Sequence, residues 1–234
     1  MEILLIGKDS PHRRFMINKL LDAGYNLTTC IFSSAIVKSR FDIDSPWAEA
    51  EENELVDLYL KETRGDLDRL ESVIYSDSVN LDDPAINCAI SKADFVIVSG
   101  ADWIKGDVLD AIGEKSMNVH MGIAEEYRGL DSNLWAWYHG DYQNIGVSLH
   151  KLNHTLDTGD LFQVEYINID DDIKVWELRF YEASLAVTLI VKSLDEIMSK
   201  SHILKKQMKL GRYYSFMPAV IKRCLYLSPR LGRN

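Results

Sequence analysis

The sequence predicts an α/β fold, in which a doubly wound parallel sheet is followed by a hairpin, a long helix and a short C-terminal tail. Short apolar runs alternate with helical patterns over residues 1–120, and the connections between them are short. Two strand-like runs then flank an Asp-Thr-Gly-Asp turn at 157–160, which predicts a hairpin. Residues 176–198 carry apolar side chains at helical spacing and predict the long helix.

The elements of the first half follow from apolar runs bounded by turn residues. The run 2–7 is nearly continuous and is typical of a buried parallel strand. In the helix predicted for 11–23, Ser10 suits the N-cap, Pro11 the first position and Gly24 the residue after the end. The other predicted elements are strand 27–32, an acidic helical pattern over 46–70, strand 72–75, a short helix from Pro84, strand 95–98, helix 106–112 and strand 117–120.

The second half no longer alternates regularly. Its predicted elements are strands 146–152 and 161–169, helix 176–198, a strand within 211–218 and a final helix over 218–227. The length of 234 residues suggests one main domain with a small addition. We therefore expect a catalytic domain over 1–200 and a C-terminal strand–helix appendage over 201–234.

Composition and charge narrow the functional classes. The net charge of −10 disfavours a nucleic-acid partner, and the acidic residues concentrated over 44–83 are interpreted as a solvated helical face. Cys30, Cys88 and Cys224 are too far apart for a disulfide framework or a metal site, and each is interpreted as a small core residue. Signal-peptide and membrane-span patterns are absent from the sequence, so a soluble cytoplasmic protein without membrane contact is expected.

Three polar residues suggest an enzyme that transfers an acyl group to an amine. Asn118 and His120 are separated by one residue at the end of a predicted strand, so both side chains point to the same face. An amide can stabilise a developing oxyanion, and an imidazole can accept the proton of an attacking amine. Asp157 follows in a turn and can hold the imidazole in one tautomer. Separately, such residues are usually a polar strand edge and an ordinary turn; their combination favours the functional interpretation.

This combination resembles the folate-dependent formyltransferase family, in particular the small bacterial nucleotide-sugar N-formyltransferases. The matching motifs are Asn-Val-His at 118–120, Tyr-Arg-Gly at 127–129, Trp-Ala at 135–136, Gly-Val-Ser-Leu-His at 146–150 and Asp-Thr-Gly-Asp at 157–160. The resemblance implies the Rossmann-like formyltransferase fold, a catalytic triad of Asn118, His120 and Asp157, and 10-formyltetrahydrofolate as co-substrate without a metal. It places the folate beside the end of the strand that precedes Asn-x-His, at Ser99, Gly100, Ala101, Asp102, Trp103 and Ile104.

The expected acceptor is a nucleotide-linked amino sugar used for a surface glycan. The segment 211–218 resembles the tail of small bacterial sugar formyltransferases, although residues 121–126 read Met-Gly-Ile-Ala-Glu-Glu where the family usually has Ser-Leu-Leu-Pro. Tyr127, Arg128 and Gly129 are the expected substrate-binding residues, with Arg128 or the basic tail as the partner of a diphosphate. A homodimer is the expected assembly.

Other functions stay open at this point. The same triad would serve formyl transfer to glycinamide ribonucleotide, or hydrolysis of formyltetrahydrofolate with water as the acceptor. A non-catalytic binding module is permitted by the sheet alone and disfavoured by the triad. Asp9, Ser10 and His12 suggest a nucleotide loop after the first strand, but the sequence lacks the Gly-x-Gly-x-x-Gly of a dinucleotide site there.

Overall fold

The computed structural model describes residues 1–34, 39–46, 67–170 and 172–227, and nine strands lie within them. They are, in chain order, β1 (Glu2–Gly7), β2 (Asn26–Ser33), β3 (Ser72–Ser76), β4 (Phe95–Ser99), β5 (Ser116–His120), β6 (Tyr127–Gly129), β7 (Gly146–His150), β8 (Leu161–Tyr166) and β9 (Arg212–Tyr214). Seven strands form one sheet in the order β3-β2-β1-β4-β5-β7-β8. The pairs from β3 to β5 are parallel, and β5-β7 and β7-β8 are antiparallel, which confirms the predicted sheet and hairpin.

Six α-helices lie in the same ranges. They are α1 (Pro11–Asp22), α2 (Pro84–Lys92), α3 (Gly106–Ile112), α4 (Ser132–Tyr138), α5 (Leu178–Met198) and α6 (Ala219–Leu227). Helix α1 begins as predicted, because the side chain of Ser10 accepts a hydrogen bond from the backbone N–H of Arg13 and Pro11 occupies the first turn. No helix of these ranges combines the length and the apolarity that a membrane span requires.

Strand β1 is apolar at nearly every position because both faces of the sheet are covered. Ile3 and Leu5 belong to the core that also contains Leu20 of α1 and Leu189 of α5. Leu4 and Ile6 face the other way, into a core that includes buried residues of α2 and α3. Alternate residues of one strand thus enter two separate cores, as a doubly wound sheet requires.

The direction of strand addition reverses between β1 and β4, which are neighbours in the centre of the sheet. Their last residues, Gly7 and Ser99, lie opposite each other. A crevice outside the carboxyl ends of the strands is expected at such a reversal, and it is the usual ligand site of open α/β sheets. The loop before α1 and the segment after β4 both start at this edge.

The C-terminal segment packs back against the preceding part of the chain. Strand β9 pairs in parallel with β6 and forms a two-stranded sheet with it. A third core lies beneath, where Met217 and Leu225 pack with Trp137 and Leu178. The division into domains 1–200 and 201–234 stays a prediction, and the tail strand pairs directly with a strand of the first part.

Several predictions differ from the structure in detail. Strand β6 was not predicted, because three residues are too few for a periodic pattern. Cys30 is buried as expected, but the core assignment of Cys88 and Cys224 is wrong, since both side chains are exposed. They occupy outward positions beside the buried Ile86, Ile90 and Leu225 on their helices. Most of the helical pattern at 46–70 lies outside the described residues.

Candidate active site

A cavity of about 420 Å³ opens at the carboxyl edge of the sheet, beside the reversal of strand order. Asn118, His120 and Asp157 all line it, so the three residues singled out in the sequence come together. The volume lies within the range of small-molecule sites. Helices α1 and α5 contribute residues at the same cavity, as do the segments after β4 and β6.

The register between β5 and β7 sets the first polar contact of the cavity. The antiparallel pairing places Asn118 opposite His150. The Nδ2 atom of Asn118 lies 3.1 Å from Nε2 of His150. Nδ1 of the same imidazole is 2.7 Å from the carbonyl oxygen of Lys151. Because a carbonyl only accepts, Nδ1 carries the hydrogen and Nε2 accepts from the Asn118 amide.

His120 is fixed in the opposite tautomer by its own partner. Its Nε2 lies 2.8 Å from the carbonyl oxygen of Tyr127, so that nitrogen donates. The Nδ1 atom, which then holds the lone pair, is 3.6 Å from Oδ2 of Asp157. A proton accepted by His120 therefore goes to Nδ1, next to a carboxylate that stabilises the resulting cation.

Asp157 is buried between the two histidines. Its Oδ2 accepts a hydrogen bond from the backbone N–H of Gly129 at 2.8 Å, and its Oδ1 lies 3.5 Å from Nε2 of His150. Burial raises the pKa of Asp157, but the neighbouring His120 and His150 and the hydrogen bond from the Gly129 N–H together hold that pKa below its usual range. The carboxyl group is therefore ionised at neutral pH.

The loop that carries Asp157 is braced from two sides. Arg128 donates from a terminal guanidinium nitrogen to the carbonyl oxygen of Leu156 and from Nε to that of Gly211, at 3.0 and 2.6 Å. Gln207 donates to the carbonyl oxygens of Asp157 and Gly159. Asp157 itself has a φ of +55°, a left-handed conformation that Asp tolerates better than most residues. The tail thus helps to fix the loop that carries Asp157.

Most of the segment expected to bind folate lies at the cavity. The lining residues from this segment are Gly100, Ala101, Asp102, Trp103 and Ile104. Ser99 does not line the cavity: its side chain is fully buried, and its carbonyl oxygen accepts a hydrogen bond from Nε of Arg13. Gly100 has a φ of +62°, and an added Cβ would lie 1.7 Å from a guanidinium nitrogen of Arg13. Only glycine fits this position without moving Arg13.

Of the three expected substrate-binding residues, Gly129 lines the cavity and the other two do not. Tyr127 is buried, and its hydroxyl group donates to Asp141 at 2.9 Å. The guanidinium group of Arg128 is engaged with backbone carbonyl oxygens. Their substrate contacts stay predictions, and the hydrogen bonds give both side chains a role in holding the loops around the cavity.

Two further groups of polar residues at the cavity were not singled out in the sequence. His150 was quoted only as the end of a motif, and its contact with Asn118 depends on strand register. Arg13 lies in the first turn of α1, and Arg179 and Glu182 lie in the first two turns of α5. His12, noted earlier for a nucleotide loop, lies with them. Nothing in the separate sequence patterns shows that these two helices meet at one cavity.

Comparison with known sequences identifies related proteins. Methionyl-tRNA formyltransferase of Finegoldia magna is 34% identical over 101 residues, which is 43% of this chain and 32% of the relative. The enzyme of the same name from Prochlorococcus marinus strain MIT 9515 is 26% identical over 133 residues, 55% of this chain and 40% of the relative. The matched region therefore spans well under half of the length of these curated relatives.

Solved structures share the fold at low identity. The formyltransferase PseJ from Anoxybacillus kamchatkensis, solved with UDP-4,6-dideoxy-4-formamido-L-AltNAc and tetrahydrofolate, has a TM-score of 0.58 and 16% identity, covering 92% of this chain and 86% of that one. A sugar N-formyltransferase from Shewanella sp. FDAARGOS_354 has a TM-score of 0.63 and 14% identity, covering 92% and 76%. These likenesses confirm the predicted fold class.

A protein-family model, described as formyl transferase, matches residues 48–191, which is more than half of the chain. This region contains β4, β5 and β7, and with them Asn118, His120, His150 and Asp157. The match agrees with the resemblance inferred from the motifs. The chain therefore belongs to the formyl transferase family.

Proposed function

We propose that the protein transfers the formyl group of 10-formyltetrahydrofolate to the amine of a nucleotide-linked amino sugar. The convergence of Asn118, His120 and Asp157 on one cavity carries the proposal. These residues supply an amide donor, a base and a carboxylate, which suit direct acyl transfer to an amine. Membership of the formyl transferase family supports the same chemistry.

The amide of Asn118 is the proposed oxyanion donor. Attack of the acceptor amine on the formyl carbon forms a carbon–nitrogen bond and places negative charge on the formyl oxygen. One hydrogen of the Asn118 Nδ2 is directed to His150, which leaves the second for this oxygen. Loss of one such donor typically lowers kcat by about 10²–10³-fold.

His120 is the proposed base, acting through Nδ1. As the new bond forms, the amine loses a proton to this nitrogen, and the ionised Asp157 stabilises the cation that results. The bond between the formyl carbon and N10 of the donor then breaks, and the proton passes from His120 to N10. The products are the formamido sugar and tetrahydrofolate, so no further reactant is needed.

The folate would lie against the segment 100–104. Val98, Ile104 and Leu152 give this part of the cavity an apolar wall, and Trp103 is half exposed. The buried Oδ1 of Asp102 accepts no hydrogen bond from the residues that the structure describes and lies 3.9 Å from Nζ of Lys8. An acceptor of this kind suits the amino group of a pterin ring.

A sugar acceptor is favoured over a tRNA acceptor on two grounds. The net charge of −10 opposes binding to a polyanion, because phosphate contacts dominate the affinity for nucleic acid. The solved structures with this fold include proteins described as sugar N-formyltransferases. The methionyl-tRNA formyltransferases match over 32–40% of their length, so their acceptor is not carried over.

The proposal is tested by incubating the protein with 10-formyltetrahydrofolate and a panel of amines. The panel holds nucleotide-linked amino sugars, methionyl-tRNA and glycinamide ribonucleotide, and the Asn118→Ala variant is the negative control. We expect a mass gain of one formyl group on an amino-sugar nucleotide, formed about 10²–10³-fold more slowly with the variant. Formylation confined to either of the other two acceptors, or release of formate with every amine unmodified, would contradict the assigned acceptor.

A further inference from the structure

Two arginines and a histidine lie at the cavity, apart from Asn118, His120 and Asp157. His12 and Arg13 come from the first turn of α1, and Arg179 is the second residue of α5. All three residues line the same cavity. Burial, and then the charges of Arg179 and Arg13, lower the pKa of His12 to about 3, so its imidazole is neutral at neutral pH. Burial and the charge of Arg179 likewise lower the pKa of Arg13 to about 10.

The acids at this end of the cavity do not balance the cations. Asp131 lies 3.3 Å from Nζ of the buried Lys222 and accepts a hydrogen bond from the N–H of Met217, so a cation of α6 already compensates it. Glu182 is buried and accepts a hydrogen bond from Asn133 at 2.8 Å. Burial raises the pKa of Glu182 to about 7, which reduces its negative charge at neutral pH. The region is therefore electropositive.

Arg13 and Arg179 are held in different ways. Arg13 is fixed, because its guanidinium group donates to the carbonyl oxygen of Ser99 and to the hydroxyl group of Ser10. Arg179 is anchored only loosely, at 3.9 Å from Asp131, and 53% of its side chain is exposed. One rigid and one adjustable guanidinium group at a single cavity can close on an anion from two sides.

We infer that Arg179 and Arg13, with His12 beside them, form the anion subsite for the phosphate or diphosphate group of the acceptor. The inference rests on the proposed function, since it assigns a part of the acceptor to a part of the same cavity. It also replaces Arg128 as the principal phosphate partner. The guanidinium group of Arg128 is bonded to two backbone carbonyl oxygens and does not line the cavity.

The test measures binding of inorganic pyrophosphate and of UDP by calorimetry, without any formyl transfer. Arg179→Gln removes the charge of the adjustable side chain, and Arg179→Lys keeps the charge without the planar guanidinium group. Arg69→Gln is the matched control, because Arg69 is 46% exposed, pairs with Asp22 at 2.7 Å and lies outside the cavity. Tetrahydrofolate binding is measured on the same preparations.

We expect Arg179→Gln to bind both phosphate probes at least about tenfold more weakly, as the loss of a charged hydrogen bond predicts. Arg179→Lys should recover part of the affinity, and Arg69→Gln should bind like the wild type. All variants should bind tetrahydrofolate equally well, because Arg179 does not belong to the expected folate segment and Arg69 lies outside the cavity. Unchanged pyrophosphate and UDP affinity in Arg179→Gln, or no saturable binding of either probe by the wild type at millimolar concentration, would overturn the subsite.

Failure of this inference is distinguishable from failure of the proposed function. Formyl transfer to an amine by a protein that binds neither probe would remove the subsite and leave the transferase activity in place. Arg179-dependent binding of pyrophosphate, with no amine of the panel formylated, would retain the anion site and remove the proposed reaction.

Discussion

The Nδ2 atom of Asn118 lies 3.1 Å from Nε2 of His150, on neighbouring antiparallel strands. The other nitrogen of His150 donates to the carbonyl oxygen of Lys151, so the ring cannot turn without losing a hydrogen bond. The contact fixes which way the amide of Asn118 points. A donor aimed before the reaction begins needs no reorganisation when charge develops on the substrate.

This contact predicts that His150 acts through Asn118. His150→Leu should lower kcat by about tenfold, and His150→Gln should lose less, because its amide oxygen can accept the same hydrogen bond. Asn118→Ala should lower kcat by about 10²–10³-fold, and the double variant should be no slower than Asn118→Ala alone. The measurement is kcat with the best acceptor of the amine panel. Losses that multiply in the double variant would show that the two side chains act independently.

The fit of Gly100 against Arg13 predicts the effect of a single added methyl group. Gly100→Ala combines a positive φ with an overlap on the guanidinium group, whereas Gly106→Ala has a similar φ of +57° and nothing within 4 Å of the added carbon. Both variants should lose about 1 kcal/mol of unfolding free energy through the backbone, and Gly100→Ala about 1–3 kcal/mol more through overlap. Urea unfolding measures the difference.

Gly100→Ala should also bind pyrophosphate more weakly, because the displaced Arg13 no longer faces the cavity. Equal unfolding free energies for the two alanine variants would mean that the Arg13 side chain moves aside at no cost. The close approach of Gly100 to Arg13 would then not require glycine at position 100.

The buried Glu182 predicts a pH-dependent stability. Its pKa is raised by burial from 4.5 to about 7 in the folded protein. Between these values the folded state keeps a proton that the unfolded state releases, so the unfolding free energy falls as the pH rises. Glu182→Gln removes this loss and keeps an acceptor for Asn133.

The free energy of unfolding of the variant should therefore rise relative to that of the wild type as the pH increases from 4.5 to 7. The gain should reach up to about 3 kcal/mol, because each unit of pKa shift corresponds to about 1.4 kcal/mol. Chemical denaturation at several pH values measures the gain, and Glu165→Gln shows the effect of removing an exposed carboxylate. A stability difference that does not change with pH would contradict the raised pKa.

Much of the fold was predictable because its strands are buried on both faces. Nearly continuous apolar runs such as 2–7 and 95–98 are typical of parallel strands buried on both faces. The helices between them begin at recognisable N-cap residues. The convergence of Asn118 and Asp157 was predictable from the family motifs and from the rule that ligands bind at the carboxyl ends of parallel strands. These inferences use local sequence together with one general property of the fold.

The remaining features depend on long-range geometry. His150 faces Asn118 only because β7 pairs with β5 in one register, and a shift by one residue would turn the ring away. The meeting of Arg13 with Arg179 depends on how α1 and α5 pack against each other on one face of the sheet. The pairing of β6 with β9 joins the strand predicted within 211–218 to a three-residue strand that is too short for a periodic pattern to reveal.

The most direct test of the account measures formyl transfer and tetrahydrofolate binding on one preparation of His120→Gln. A base that accepts the amine proton contributes typically about 10²–10⁴-fold, and the expected folate segment at 100–104 does not include this residue. We predict a fall in kcat of that size, with a tetrahydrofolate Kd within about twofold of the wild type. A correctly folded variant with a near-normal rate would contradict the central claim that His120, Asn118 and Asp157 act together.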